Sequence, residues 1–301
     1  MTQPPAYEDL LRKEADHWSS VHVDPANPQL WHDEKLFEIF FGREYAMLLD
    51  RTARYGPNVL ELGCGEGSLA IALAQRGLTV TALDLSEARL ARARERADIA
   101  GVADRIEFRV ADLNRVELAP NAYSCVAAHD SLHHVLSLDR LLSQVSDCLV
   151  PGGALVIMDH IGMGSFRKLL AAGLFAVLPT VQSYSEKWRL RKRLGSFLSS
   201  EKTKRNAMAN QDASRLHPDS PFEEISQASI VECIEKRFLI QQKLSFLPFW
   251  FYLAPKIRLP RRLRYPLART FKAMDDGLCF LGVRGAYCFI DARKHDATAA
   301  H

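Results

Sequence analysis

The chain has 301 residues, of which 48% are hydrophobic and 25% are charged, and its formal net charge is +3. This composition is typical of a globular protein and excludes a disordered, collagen-like or coiled-coil chain. The N-terminal residues are polar, and no apolar run reaches the roughly 18 residues that a membrane-spanning helix needs. We therefore expect a cytoplasmic protein whose six scattered cysteines are reduced.

Charge is distributed unevenly along the chain. Residues 1–164 have a net charge of −9, whereas residues 165–301 have a net charge of +12. This asymmetry predicts that the two parts face different partners or face each other.

The first 55 residues favour helices, and we expect them to form an N-terminal helical cap. Aromatic side chains run along this polar stretch, at Trp18, Trp31, Phe37, Phe40, Phe41 and Tyr45. Short apolar runs of strand length follow, at 58–62, 80–85, 106–113, 123–130 and 154–160. Because helical segments lie between most of them, the pattern predicts a doubly wound α/β fold with a parallel sheet covered on both faces.

Helix signals support this alternation. Ser86 is a candidate cap for a helix that begins at Glu87 and ends before Gly101, and a second helix spans 138–149 before a Pro-Gly-Gly turn. We expect residues 56–164 to form the ligand-binding core.

After residue 163 the alternation becomes irregular. Further elements are predicted as helices at 169–178 and 226–236 and as strands at 238–246 and 286–294. Residues 165–301 then hold two insertions, 165–235 and 247–284, together with the last two strands of the same sheet.

The strongest chemical signal is VLELGCGEG, in which a strand leads into Gly63, Gly65 and Gly67 and then into a helix. Glycine is needed where the backbone has positive φ or approaches a ligand closely, and the helix start offers N–H groups. The spacing of a dinucleotide-binding loop fails because residue 68 is serine. Since Glu61 lies two residues before the first glycine, the motif favours a ligand with a cationic amino acid end over a pyrophosphate.

Two further acids lie where open α/β sheets bind ligands, at the carboxyl ends of parallel strands. Asp84 ends the second predicted strand, about 20 residues after the first glycine, where a carboxylate can accept both ribose hydroxyls. Asp112 ends the third predicted strand, beside the expected adenine position, and Leu113 follows it.

These residues resemble the motifs of class I S-adenosylmethionine-dependent methyltransferases over about residues 55–160. The likeness is carried by ELGCGEG, ALDLS, VADL and LVPGGALVIMD in this order. It implies a Rossmann-like, seven-stranded sheet with an antiparallel last strand, and S-adenosyl-L-methionine as cofactor. It also implies that Glu61 lies near the methionine amine, Asp84 on the ribose and Asp112 on the adenine amine. Leu113 and the backbone of His129 complete the predicted cofactor contacts.

A weaker likeness concerns the acceptor. HDSLHHV and DSPFEEISQASIVECIEKRF resemble methyltransferases of bacterial polysaccharide and glycolipid biosynthesis, while region 161–235 departs from their pattern. We expect O-methylation of a small molecule, sugar or glycolipid. The alternatives are an RNA methyltransferase and a non-catalytic protein of this fold that acts through its basic surface.

The fourth predicted strand ends in a cluster of three histidines and one acid, His129-Asp130-Ser131-Leu132-His133-His134. A hydroxyl acceptor needs a base that takes its proton, and we predict His133 or Asp130 for this role. We assign no metal ligand. The alternative is a helix beginning at Asp130, which would place Asp130, His133 and His134 on one face and let His160 supply a fourth ligand.

The basic half contains two clusters, eight cations between Lys187 and Arg205 and seven between Lys256 and Lys272. The second follows the aromatic run FLPFWFYLAP, which predicts either contact with an anionic membrane or a lid over the acceptor pocket. A solvated face is the third possibility. We do not expect nucleic acid, because no RNA-binding motif is present and four prolines between 248 and 266 predict short, kinked pieces.

Overall fold

The computed structural model describes residues 5–20, 33–180, 182–190 and 220–294. The strands are β1 (Asn58–Leu62), β2 (Thr79–Asp84), β3 (Ile106–Val110), β4 (Tyr123–His129), β5 (Leu149–His160), β6 (Phe238–Phe246) and β7 (Tyr287–Lys294). The helices are α1 (Pro5–Ser20), α2 (Glu34–Arg54), α3 (Ser68–Gln75), α4 (Glu87–Ile99), α5 (Leu138–Cys148), α6 (Ser165–Val177), α7 (Tyr184–Leu190), α8 (Ile230–Glu235) and α9 (Arg261–Phe280).

All seven strands form one sheet in the order β3-β2-β1-β4-β5-β7-β6. Strands β1 to β5 pair in parallel, while β7 is antiparallel to both β5 and β6. The predicted doubly wound, mostly parallel sheet with an antiparallel last strand is confirmed. The strand order reverses between β1 and β4, which is where such sheets open a crevice for ligands.

Successive residues of the central strands enter two different cores, because side chains alternate across a sheet. Val59 of β1 packs in a core with α2, α3 and α4, whereas Leu60 packs in a core with α5 and α8. Both faces of β1 are therefore buried, which explains why Val59, Leu60 and Leu62 are apolar without alternation.

Two helix boundaries follow the capping rules. The Ser86 side chain accepts a hydrogen bond from the N–H of Arg89, and α4 ends at Ile99, two residues before Gly101. The predicted helix at 226–236 is shorter, because the regular turns of α8 begin at Ile230.

The prediction of short, kinked pieces holds for residues 250–256, which form two short 3₁₀ turns. It is wrong from Arg261 onward, because α9 is a 20-residue helix with Pro266 inside it. Proline removes one backbone hydrogen bond, and packing offsets that loss. Ala268 of α9 is buried, and the Asp275 side chain accepts the backbone N–H groups of Phe249, Trp250 and Phe251. The helix therefore also fixes the aromatic turn that precedes it.

Some predicted features lie outside the described residues. These are Trp31 and the part of the first basic cluster from residue 191 onward. Within the described residues, no helix is both long enough and apolar enough to cross a membrane.

Candidate functional site

A cavity of about 1060 Å³ opens at the carboxyl ends of the parallel strands. Helix α1, the start of α2 and residues 222–224 supply further parts of its wall. Nine of the ten residues predicted from the sequence line this cavity: Glu61, Gly63, Gly65, Asp84, Asp112, Leu113, His129, Asp130 and His133. Gly67 lies just behind the lining, where it caps α3 with φ 77°.

The loop after β1 requires glycine for two physical reasons. Gly63 has φ 72° and Gly65 has φ 55°, a region that side chains disfavour. A Cβ atom on Gly63 would also lie 2.4 Å from the Cβ of Ser131, whose hydroxyl donates to the Leu62 carbonyl. The loop therefore packs closely against Ser131, just after β4, and this contact fixes its conformation.

Glu61 is buried on β1, at 2% exposure, and its Oε2 atom has no hydrogen-bond partner among the described residues. Burial, together with the nearby negative charge of Asp84, raises the pKa of Glu61 to about 8. A buried carboxyl group with one open oxygen is suited to a cationic group that enters the cavity.

Asp84 is held by the loop that it faces. Its Oδ2 accepts the N–H of Gly65 at 2.7 Å, and its Oδ1 accepts the N–H of Ser86 at 2.9 Å. Each carboxylate oxygen accepts more than one hydrogen bond, so both can still receive a hydroxyl from the cavity.

Asp112 lies two residues beyond the end of β3, not at its end as the sequence predicted. The Tyr7 hydroxyl of α1 donates to its Oδ2 at 2.7 Å, and the N–H of Asn114 donates to its Oδ1 at 2.9 Å. Sequence reasoning missed Tyr7, because this contact joins residues 105 positions apart and carries no local signal.

Helix α1 is anchored to the cavity by one buried acid, Glu14. Its carboxylate accepts the Nε1–H of Trp18, the hydroxyl of Ser220 and the N–H of Phe222. Although burial opposes ionisation, these donors and His134, whose Nδ1 lies 3.0 Å away, lower the pKa of Glu14 to about 2. One carboxylate thus joins α1, residues 220–222 and the histidine pair.

His133 is oriented by an acid of the neighbouring strand. Its Nδ1 donates to Oδ1 of Asp159 at 2.6 Å, and Asp159, fully buried, accepts the N–H groups of Ser131 and Leu132 at its Oδ2. Sequence reasoning missed Asp159, although its place at the end of β5, beside β4, is the signal that could have identified it.

The charges around His133 are mostly negative. Burial alone would lower the pKa of His133, but Asp159, Asp130 and Glu223 raise it to about 10. Burial would raise the pKa of Asp159, whereas the charge of His133 and the hydrogen bonds to Asp159 lower it. His133 and Asp159 therefore form an ion pair, and the Asp159 member of the pair is fully buried.

Asp130 does not begin a helix, so the predicted shared face of Asp130, His133 and His134 is wrong. Its φ is 53°, and only a single 3₁₀ turn, Leu132–His134, follows. Burial raises the pKa of Asp130 to about 6, against the charge of His133. Its Oδ1 has no hydrogen-bond partner within the described ranges and lies 3.8 Å from Nδ1 of His133.

The other histidines have different surroundings. The His129 ring packs near Tyr45 and Phe37, and burial lowers its pKa to about 4. Burial likewise lowers the pKa of His160 to about 4, and its Nδ1 lies 3.9 Å from Oε1 of Glu224. Both rings are therefore neutral at pH 7.

Residues 59–153, which contain the glycine loop, Asp84, Asp112, Asp130 and His133, match the family described as methyltransferase domain. This part of the chain is a methyltransferase domain. The predicted cofactor, S-adenosylmethionine, is bound in a solved structure of similar fold, described as geranyl diphosphate methyltransferase in complex with SAM, which is 16% identical with a TM-score of 0.50 over 84% of this chain and 85% of that one.

Two relatives of the methyltransferase domain come from bacteria. Methyltransferase GfsG of Streptomyces halstedii is 32% identical over 131 residues, which are 42% of this chain and 47% of that protein. The 27-O-demethylrifamycin SV methyltransferase of Amycolatopsis mediterranei is 32% identical over 146 residues, which are 44% of this chain and 53% of that protein. The chain thus matches about half the length of each of these relatives.

A solved structure extends the likeness in fold beyond the methyltransferase domain. Geranyl diphosphate C-methyltransferase from Streptomyces coelicolor A3(2), in complex with Mg²⁺, geranyl-S-thiolodiphosphate and S-adenosyl-L-homocysteine, has a TM-score of 0.55. The match covers 97% of this chain and 100% of that one at 14% identity, so it confirms the fold alone. The likeness to polysaccharide and glycolipid methyltransferases stays a prediction.

The aromatic run of the last insertion packs against the methyltransferase domain. Phe246, Phe249 and Phe251 are buried, and Phe251 and Tyr252 line the cavity. Rings buried in this way do not reach a lipid interface in this conformation. Whether the segment 246–272 is a lid or a membrane contact stays a prediction.

The assignment of Asp84 to the cofactor yields a direct test. We expect Asp84→Ala to weaken the affinity for S-adenosylmethionine about tenfold or more, because a charge-assisted hydrogen bond contributes about 1.5–3 kcal/mol. Calorimetric titration measures this affinity, with the exposed Asp104→Ala as matched control. Equal affinities of the two variants would remove Asp84 from the cofactor site.

Proposed function

We propose that this protein transfers the methyl group of S-adenosylmethionine to a hydroxyl oxygen of a small molecule. The observation that carries the proposal is that one cavity is lined both by Glu61, with its unpaired carboxylate oxygen, and by Asp130 and His133, whose ring is oriented by the buried Asp159. The first suits the cationic end of the cofactor, and the second suits a hydroxyl group that must lose a proton.

The cofactor end fits the group that the fold implies. Glu61 would pair with the amino group, Asp84 would accept the ribose hydroxyls, and Asp112 would accept the adenine amine beside Leu113 and His129. When bound, S-adenosylmethionine supplies an electrophilic methyl group on a sulfonium. The glycine loop leaves room for a ligand, because Gly63 and Gly65 have no side chains and line the cavity.

The acceptor end would supply the proton acceptor. Displacement at a methyl group needs an aligned oxygen nucleophile, so most of the catalytic effect comes from positioning, and a base adds to it. Asp130 is the better candidate for the base, since it lines the cavity, its Oδ1 has no hydrogen-bond partner among the described residues and its backbone is held at φ 53°. His133, whose ring Asp159 fixes, would orient the acceptor oxygen.

Methyl-labelled S-adenosylmethionine tests the proposal. The full chain is incubated with cell-extract fractions enriched in small phenols, sugars, lipids or RNA. Mild base then identifies methyl esters, and the NMR spectrum of the product shows whether the labelled methyl group is bonded to oxygen, nitrogen or carbon. We expect label in a small-molecule fraction as a base-stable methyl ether. Label in RNA, or label on nitrogen or carbon, would contradict O-methylation. Cofactor binding without any labelled product would favour the non-catalytic alternative.

An amphipathic acceptor at a membrane is a second candidate, favoured by apolar side chains on the surface. Phe166, Phe280 and Leu281 are 78%, 91% and 77% exposed. Arg167 donates to the Arg284 carbonyl at 2.7 Å, which brings the start of α6 beside the loop after α9. These exposed side chains can contact the acyl region of a lipid bilayer, whereas the buried rings of residues 246–251 cannot.

Sedimentation with anionic vesicles tests this candidate. We expect the protein to sediment at low salt and to be released as salt increases, because cations near anionic lipid contribute about 1 kcal/mol each. Reversing the charges between residues 256 and 264, or replacing Phe166 and Phe280 by serine, should reduce sedimentation. Protein that stays in the supernatant at low salt would contradict membrane contact.

A further inference from the structure

Three side chains at the acceptor end point their ligand-type atoms toward one another. The His133 and His134 rings lie with centroids 4.2 Å apart. Nε2 of His133 lies 4.0 Å from Oε1 of Glu223, and Nε2 of His134 lies 3.6 Å from Oε2 of the same residue. The ligand atoms of the three residues all lie within 4.8 Å of one another.

The opposite side of each imidazole faces a buried carboxylate. Nδ1 of His133 lies 2.6 Å from Asp159, and Nδ1 of His134 lies 3.0 Å from Glu14. Asp159 keeps the proton on Nδ1 of His133, so a cation that binds at Nε2 must displace only the second proton of this imidazolium. The Glu14 carboxylate lies beside Nδ1 of His134 and leaves its Nε2 facing Glu223. Metal-binding histidines are oriented by their surroundings in the same way.

We propose that His133, His134 and Glu223 bind one divalent transition-metal cation at the acceptor end of the cavity. Ligand atoms about 2.0–2.2 Å from an ion lie at most about 4 Å apart, so the separations of 3.6 and 4.0 Å require only small shifts. Two imidazole nitrogens and one carboxylate suit ions such as Zn²⁺, Fe²⁺ or Mn²⁺ better than Mg²⁺ or Ca²⁺, which prefer oxygen ligands.

This ligand set differs from the one that the sequence suggested. Asp130, His133 and Asp159 also lie close together, but Nδ1 of His133 and both oxygens of Asp159 already take part in hydrogen bonds. In the proposed site Glu223 is the third ligand, in place of Asp130 and His160. It was missed because it follows the histidines by about 90 positions and comes from an irregular segment.

The cation would have coordination positions left for an acceptor oxygen, since three protein ligands do not complete a tetrahedral or octahedral shell. This role rests on the proposed function, whereas the binding of the cation does not. A cation at Nε2 of His133 excludes a proton there, which leaves Asp130 as the proton acceptor.

Metal titration of the full chain tests the proposal. The protein is treated with a chelator, dialysed, and titrated with Co²⁺ followed by visible absorption and with Zn²⁺ followed by calorimetry. We expect one equivalent of either ion and a Co²⁺ spectrum with nitrogen ligands. Glu223→Gln should weaken binding at least about 100-fold and Asp159→Asn about 10- to 100-fold. The matched control is Glu224→Gln, which should retain the wild-type affinity because Glu224 pairs with Lys168.

Several outcomes would overturn the proposal. One is the absence of stoichiometric Co²⁺ and Zn²⁺ binding in the wild-type chain, and another is equal metal affinity of Glu223→Gln and Glu224→Gln. Affinity for S-adenosylmethionine, measured on each variant, shows that the variants are folded. Stoichiometric metal binding without any labelled acceptor would support the site while the proposed function fails. Full transfer activity in a chain that binds no metal would support the proposed function and overturn the metal site.

Discussion

Asp130→Asn should lower the turnover of methyl transfer about 100-fold or more while the affinity for S-adenosylmethionine stays nearly unchanged. The amide keeps the shape of the side chain and tolerates the positive φ of this position, but it does not accept a proton. Single-turnover transfer of labelled methyl gives the rate, and calorimetry gives the affinity. His133→Ala, which removes the ring that Asp159 orients, should lower turnover as well.

The matched control for Asp130→Asn is Asp139→Asn. Asp139 is exposed on α5 and pairs with Arg237, and an exposed pair contributes little to stability. It should leave both turnover and affinity unchanged. If Asp130→Asn and His133→Ala both retained full activity, the cluster would have a packing role and the proton would leave by another route.

Glu61→Gln should weaken S-adenosylmethionine binding about 10- to 100-fold, because a neutral amide loses the charge that attracts an ammonium group. In the wild-type protein the affinity should also depend on pH. Since the pKa of Glu61 is raised to about 8, the empty site is protonated below that pH, and binding of a cation must release the proton. Affinity should therefore increase with pH, by up to about tenfold per unit, and level off near pH 8.

Calorimetry in two buffers of different ionisation enthalpy counts the released protons. We expect up to one proton released per ligand near pH 7 in the wild-type chain and in the exposed control Glu38→Gln. Glu61→Gln should release none from this site. A pH-independent wild-type affinity below pH 8 would show that Glu61 does not face the amino group.

The parts of the fold that sequence predicts well are those set by neighbouring residues. The strand β1, the glycine loop and the Ser86 cap each depend on side chains a few positions apart, so their spacing carries the structure. Pro266 shows the limit of such rules. The loss of a backbone hydrogen bond at proline can be predicted from the sequence. The packing of α9 that offsets this loss cannot, because it depends on distant residues.

The candidate site also combines contacts that local sequence predicts with contacts that it does not. Glu61, Asp84 and Asp130 follow strands whose order a parallel sheet dictates, so their convergence was predictable. The contacts of Tyr7 with Asp112 and of Glu14 with Phe222 join segments more than 100 positions apart. No period or motif encodes such contacts, because they depend on how α1 and residues 220–224 close over the finished sheet.

The three anchors of α1 also bear on the time scale of ligand exchange. Tyr7 holds Asp112, Glu14 holds Phe222, and the Ser19 hydroxyl lies 2.8 Å from that of Ser86. Because α1 forms part of the cavity wall, the residence time of a bound molecule should depend on how often these anchors break together. Release of the spent cofactor, and not the displacement at carbon, then becomes a natural limit on the steady-state rate.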